Sequence, residues 1–346
     1  MIKPNIFDIA TKELNQDAFI TWLLLWGGNN EPETDDEKKL ILCGKEFTKA
    51  LITKKYPNFN EPIETVDAGR QWDNIDVYAK INNKYLIIIE DKTNTGQRSG
   101  QLSRYKLIAE EWRKKYAPEY EEVICIYLKT GNETQESLDV VIQDGFEIYN
   151  RTDFINLVQQ HDIRNDIYSD FKARLLKLES INNEWIDKVI NNWNGNDWQG
   201  FFQNLEKQNV IDRWFRVNNP NGGFWGALFA WREYNGIPVY LQIEEGKLCF
   251  KISTRTADST NIPENLNKSE TRNRFHQLIL EAASKQNLSS IRKPDRFGHG
   301  NYMTIAIIDA KNWLGDQSKI IHQHQVIENL NLYKSFIDDF VTASNI

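Results

Sequence analysis

Cysteine is scarce in this chain: Cys43, Cys125 and Cys249 are the only three in 346 residues, odd in number and far apart. That pattern excludes a CxxC metal or redox motif and a complete disulfide framework, so buried thiols are expected. Long apolar runs are missing too. The longest, Phe19 to Trp26 and Tyr85 to Ile89, fall far short of the roughly 20 residues a helix needs to cross a bilayer. The opening Met-Ile-Lys-Pro-Asn-Ile-Phe-Asp has no basic start, apolar stretch and small-residue cleavage site. Cytoplasm is therefore the expected compartment, without membrane attachment. Neither a G-x-x-x-x-G-K-[ST] phosphate loop nor a G-x-G-x-x-G fingerprint occurs, so no nucleotide cofactor is implied. Internal repeats and low-complexity tracts are also lacking.

What is present suits a folded protein, with 40% apolar and 26% charged residues. The net charge of −7 argues against a molecule that coats nucleic acid over its whole surface. Residues 1–180 carry all of that excess, and 181–346 balance to zero. Within the second half, 251–300 hold nine Lys or Arg against five Asp or Glu, among them Arg255, Lys268, Arg272, Arg274, Arg292, Lys293 and Arg296. A groove that tracks phosphates and a solvated helix face are both open readings of that stretch.

The length suggests two domains or one enlarged one. Apolar spacing predicts a helix over Thr11 to Trp26, with Asp8 or Thr11 as candidate caps, and another near 36–54. Short β-prone runs follow at Ile63–Val66, Ile75–Ala79, Tyr85–Ile89 and, after a helix at about 99–116, Val123–Leu128. A strand near Phe146–Tyr149 leads into helices over Thr152–His161 and from Asp166 to about Ile190. Beyond an Asn/Gly/Trp-rich stretch at 191–200, strands are expected at Trp214–Arg216, Phe224–Trp231, Pro238–Ile243 and Leu248–Ser253. Helices are then expected near 270–286 and 319–342. The boundary falls near 180–195, separating an α/β domain over 1–185 from an α+β accessory domain over 195–346. Trp193, Trp198, Trp214, Trp225 and Trp231 could stack bases, but aromatic residues in strands mostly build cores, and the core reading is preferred.

Chemistry concentrates in Trp72-Asp73-Asn74-Ile75-Asp76-Val77-Tyr78-Ala79 and Tyr85-Leu86-Ile87-Ile88-Ile89-Glu90-Asp91-Lys92, which read as a hairpin. A three-residue loop at Asn82 to Lys84 would pair Ile81 with Tyr85 and set Asp76 opposite Glu90. Glu90 and Lys92 then share a face with Asp76, while Asp91 points the other way and offers its main-chain carbonyl. Two acids and a carbonyl make an oxygen cage suited to Mg²⁺, and a lysine beside it can position or deprotonate a water. Such a centre fits metal-assisted phosphodiester hydrolysis. The plain alternative is a strand end whose charges enter solvent. Asp73 is a rival for the metal-binding Asp, and Asp76 is preferred.

Two further features add weight. Gln101 and Tyr105, four apart on the next helix, share one face. Glu13 and Asp17, also four apart, continue through Ile20 and Leu24 on a stripe expected to face the core. Polar residues on a surface helix remain the simpler reading of either pair.

Taken together, Glu13 with Trp22-Leu23-Leu24, Asp76-Val77-Tyr78, Glu90-Asp91-Lys92 and Gln101-Leu102-Ser103-Arg104-Tyr105 resemble a bacterial branch of the PD-(D/E)XK nuclease superfamily over roughly residues 10–130. The resemblance implies an α/β, restriction-endonuclease-like core, a mixed central sheet flanked by helices, and Mg²⁺- or Mn²⁺-dependent cleavage of nucleic acid, with DNA the expected polymer. It assigns Asp76, Glu90 and Asp91 to the metal, Lys92 to the water, Glu13 to support of the site, and Gln101 with Tyr105 to its lining. No Pro precedes Asp76, and Asp17 is a further ligand or a capping-type contact. A homo-oligomer or a protein partner through the C-terminal domain stays open. The alternative from another class is a non-catalytic nucleic-acid- or protein-binding module that retains the nuclease fold.

Overall fold

The computed structural model describes residues 4–219, 222–263 and 265–343. They divide after Ser180 into two compact units. The first runs α1 (Ile6–Ile9), α2 (Glu13–Gly28), α3 (Asp35–Lys55), β1 (Val66–Trp72), β2 (Ile75–Ile81), β3 (Tyr85–Lys92), α4 (Gln101–Tyr116), β4 (Ile124–Lys129), α5 (Gln135–Gln143), β5 (Glu147–Asn150), α6 (Arg151–Gln159) and α7 (Asp166–Asn183). Its five strands lie in sequence order, antiparallel from β1 to β3 and parallel from β3 to β5. The result is the mixed sheet flanked by helices that the resemblance implies.

β3 is the centre of this sheet, and all eight of its residues are buried. Leu86 and Ile88 pack with Leu102, Tyr105 and Ala109 of α4. Ile87 and Ile89 join Phe19, Ile20, Leu23 and Leu24 of α2 and Phe47 and Leu51 of α3 on the opposite face. A strand covered on both sides must be apolar without alternation, which is why Leu86 to Ile89 is an unbroken run.

Two local expectations are corrected. The strand expected over Ile63–Val66 starts only at Val66 and continues to Trp72. It forms the sheet edge, half exposed, so its composition is polar and its alternation weak. Neither Asp8 nor Thr11 caps α2: Lys12 holds the cap position without a side-chain bond. Asp8 lies within α1 and pairs with Lys177 across 2.9 Å.

In the second unit, two short 3₁₀ turns at Glu184–Ile186 and Ile190–Asn192 replace the tail of the helix expected to reach Ile190. Then come α8 (Gly195–Lys207), β6 (Arg213–Val217), β7 (Phe224–Tyr234), β8 (Ile237–Glu244), β9 (Lys247–Ser253), α9 (Lys268–Lys285), β10 (Tyr302–Asp309), α10 (Ala310–Trp313) and α11 (Gln323–Thr342). The strands form one antiparallel sheet in the order β10-β9-β8-β7-β6. Phe201, Phe275, Ile279, Trp313 and Phe336 from the helices join Val239, Leu241, Phe250 and Ile252 of the strands in one apolar cluster. Much of the basic stretch at 251–300 is engaged in this fold. Arg292 pairs with Asp309 at 2.7 Å, and Arg272 is buried, with its guanidinium 4.5 Å from the centre of the Phe297 ring.

The three cysteines are buried free thiols, and burial pushes each up to about 12 in pKa. Among the described residues, no helix is long and apolar enough to cross a membrane.

Candidate active site

The site grows from the turn between β2 and β3. Asn82 and Asn83 adopt left-handed backbone angles, which short polar side chains tolerate, and the loop closes with Ile81 opposite Tyr85. Val77 pairs with Ile89 in the same register, so the next rung sets Asp76 against Glu90. The Asp91 N–H donates to Asp76 Oδ2 at 3.0 Å, tying the two strand ends together. Asp73, by contrast, sits exposed with Asn74 in the two-residue turn between β1 and β2, both at positive φ.

Glu90 and Asp91 are 1% and 0% exposed and Lys92 is 8% exposed. The Lys92 ammonium donates to Glu90 Oε1, lies 3.8 Å from Asp76 Oδ2, and donates to the Asp91 carbonyl at 3.2 Å. Asp91 turns its carboxylate to the other face, where the Gln16 side chain of α2 donates to Oδ1. The Gln16 carbonyl accepts from Thr130 Oγ1 at 3.0 Å, so one amide links α2 to the ends of both β3 and β4.

Burial, and then the Asp76 charge, pushes Glu90 up to about 8 despite its lysine partner. The same two causes, in the same order, raise Asp17 to about 7. Asp91 is held well above the usual carboxylate range by burial and by the neighbouring Asp17. Like charges this close cannot both ionise cheaply. Burial opposes the Lys92 ammonium, but Glu90 and Asp76 outweigh it and hold its pKa above the ordinary lysine value.

Helix α2 contributes from the side. Asp17 is buried against Asp91, and Glu13 Oε1 accepts from Thr93 N at 3.0 Å and Thr95 Oγ1 at 2.8 Å. Glu13 therefore braces the chain just after Lys92. Gln101 donates to the Tyr105 hydroxyl at 3.1 Å and accepts from Arg98 N. Among the described residues, no hydrogen bond joins either side chain to the acids.

Sequence reasoning passed over Gln16 and Lys129. Lys129 ends β4 directly opposite Lys92. It is nearly as buried as the acids, donates to the Thr95 carbonyl at 2.6 Å and pairs with Glu133 at 2.7 Å. The available signal was a charge at the end of an apolar strand, the same pattern that marks Lys92.

Among the described residues, Glu90 Oε2, on the same face as Asp76 and Lys92, is buried with no hydrogen-bond partner. Such an oxygen is costly to leave unmatched, and hard carboxylate oxygens are what Mg²⁺ or Mn²⁺ takes, so Glu90 beside Asp76 fits a divalent cation. Among the described residues, no three His, Cys, Asp or Glu side chains converge as a ready-made cage, and the counter-charge between Asp76 and Glu90 is the Lys92 ammonium.

Comparison with curated proteins and with solved structures gives no match. The sequence profile described as the PD-(D/E)XK nuclease superfamily matches residues 4–203, more than half of the chain. The hairpin acids, the lysine two residues on and the helix that follows all lie inside that match, and the chain belongs to the PD-(D/E)XK nuclease superfamily.

Proposed function

We propose that this protein is a metal-dependent nuclease that hydrolyses phosphodiester bonds in DNA with Mg²⁺ or Mn²⁺. The observation that carries the proposal is the meeting of Asp76, Glu90 and Lys92 at the buried end of β3, with Glu90 Oε2 left without a partner among the described residues. Asp76, Glu90 and the carbonyl of Asp91 would hold the cation. When bound, it supplies polarisation of the phosphoryl oxygen, a more acidic attacking water and a counter-charge for the departing oxygen.

The chain's own groups do the rest. Lys92 is held protonated by its neighbours, which suits it to orient the attacking water and to face the charge that develops on the phosphate rather than to remove a proton. Glu13 fixes the main chain after Lys92, and Gln16 with Asp17 holds the Asp91 carboxylate on the far face. Glu90 and Asp76, the acids that would hold the cation, also keep the Lys92 ammonium beside it.

The test is incubation of purified protein with plasmid, linear and single-stranded DNA and with RNA, in Mg²⁺, in Mn²⁺ and in chelator. DNA cleavage that requires the cation is expected. Glu90→Gln and Lys92→Met should each lower the rate by about 10²-fold or more while the thermal melt stays cooperative. Full activity in both folded variants would remove the site from the reaction.

A further inference from the structure

The second unit's sheet has one face packed on helices and another that carries a cavity. Along β7, Ala227 and Phe229 point into the apolar cluster, so strict alternation would send Trp231 inward as well. It does not go there. The β7–β8 register shifts between Phe229 and Arg232, and Ala230 takes φ +54° inside the strand. Ala230 thereby joins the inner cluster, while Trp231 swings to the other face and stacks on Tyr240 with ring centres 4.6 Å apart and planes 19° from parallel. A positive φ is uncommon for alanine, and bulges of this kind re-aim a side chain.

The cavity beside that stack measures about 340 Å³ and is lined by Arg213, Phe215, Trp231, Tyr240, Gln242 and Lys251, among others. That volume lies within the range of about 300–1,000 Å³ usual for ligand pockets. Its floor is polar and buried. Glu244 Oε1 accepts from Lys251 Nζ at 2.6 Å and from Gln242 Nε2 at 2.9 Å. Gln242 and Lys251 are 6% and 9% exposed. The Gln242 carbonyl oxygen makes no hydrogen bond among the described residues. At the rim, Arg255 donates to the hydroxyl of Tyr302, another lining residue, at 3.3 Å.

We infer that this face holds an unstacked base of a single DNA strand, with Trp231 as the stacking platform. A floor lined by the Lys251–Glu244 pair and the Gln242 amide is polar, which suits a ligand with a polar edge better than a wholly apolar one. A base offers both a flat π-face for the aromatic wall and an edge of donors and acceptors for the floor, and its phosphate suits Arg255. In a duplex those faces are already stacked, so the expected partner is single-stranded. The choice of polymer rests on the nuclease reading; the pocket itself does not.

Anisotropy of a labelled short DNA strand, measured on the full chain in chelator so that nothing is cut, tests this inference. The single strand should bind more tightly than the same sequence as a duplex. Trp231→Ala should weaken strand binding about tenfold or more, with Trp231→Phe restoring most of it and duplex binding unmoved. Gln242→Leu, on another wall of the cavity, carries the same expectation should Trp231→Ala fail to fold. Unchanged strand binding in a folded variant would overturn the inference. So would mononucleotides that compete as well as the strand, which would make this a free-nucleotide pocket. A protein that binds strands through Trp231 but cuts nothing in Mg²⁺ keeps this inference and loses the nuclease reading, and cleavage with Trp231-independent binding does the reverse.

Discussion

Asp91 poses the sharpest energetic question among single residues, because a fully buried carboxyl needs a donor, a shared proton or a cation. Gln16 supplies a donor, and the neighbouring Asp17 charge favours the neutral form of Asp91. Replacing Gln16 by Leu keeps the volume but removes the donor to Asp91 and the acceptor for Thr130, so two buried polar groups lose a partner. The expected cost is about 1–3 kcal/mol in urea denaturation, larger than for a Gln on an exposed helix face. Glu13 and Asp17 were legible beforehand because acids on an apolar stripe are chemically odd. Gln16 lies beside them, but an uncharged amide gives no such signal, and only the fold reveals that it bridges two strand ends.

Between elements, the contact that sets the position of α2 is its crossing with α3 at Gly27 and Gly44. A Cβ added to Gly44 would lie 2.5 Å from the Leu23 carbonyl and 2.9 Å from Gly27 Cα, both main-chain atoms that cannot yield unless a helix moves. Because α2 carries Glu13, Gln16 and Asp17, that movement would reach the site. Gly44→Ala should cost about 1–3 kcal/mol in a melt and lower nuclease activity at temperatures where the variant is still folded, although Gly44 touches none of the acids. Legibility also differs by element. β3 and its hairpin were readable because burial on both faces demands an apolar run and the loop length fixes the register. α8 was not, since Asn194 and Asp197, which cap it, belong to an Asn-rich stretch that reads equally well as a turn. β10 pairs with β9 across the whole of α9, a non-local partnership that no local window contains. The bulge at Ala230 was invisible for a similar reason: alternation alone assigns Trp231 to the core, and only the shifted pairing with β8 turns it outward.

For the whole molecule, the −7 charge resides in the half that carries the buried acids, which makes stability depend on pH in an unusual direction. Glu90 is raised to about 8 and Asp17 to about 7, against an unfolded carboxyl range near 4. Between those limits the folded protein binds more protons than the unfolded chain, so stability falls as pH rises. The contribution of these groups is fully present below about pH 4 and is lost on passing pH 8. In chelator, the melting temperature should therefore decline from about pH 5 to about pH 8, where many proteins are flat. Mg²⁺ binds the ionised acids, so adding it should raise the melting temperature most at the alkaline end. Glu90→Gln removes one of the titrating groups and should flatten the decline in chelator while abolishing much of the Mg²⁺ gain. A wild-type profile that is level in chelator, or an equal Mg²⁺ gain in Glu90→Gln, would show that the β3 acids neither hold the proton nor take the cation.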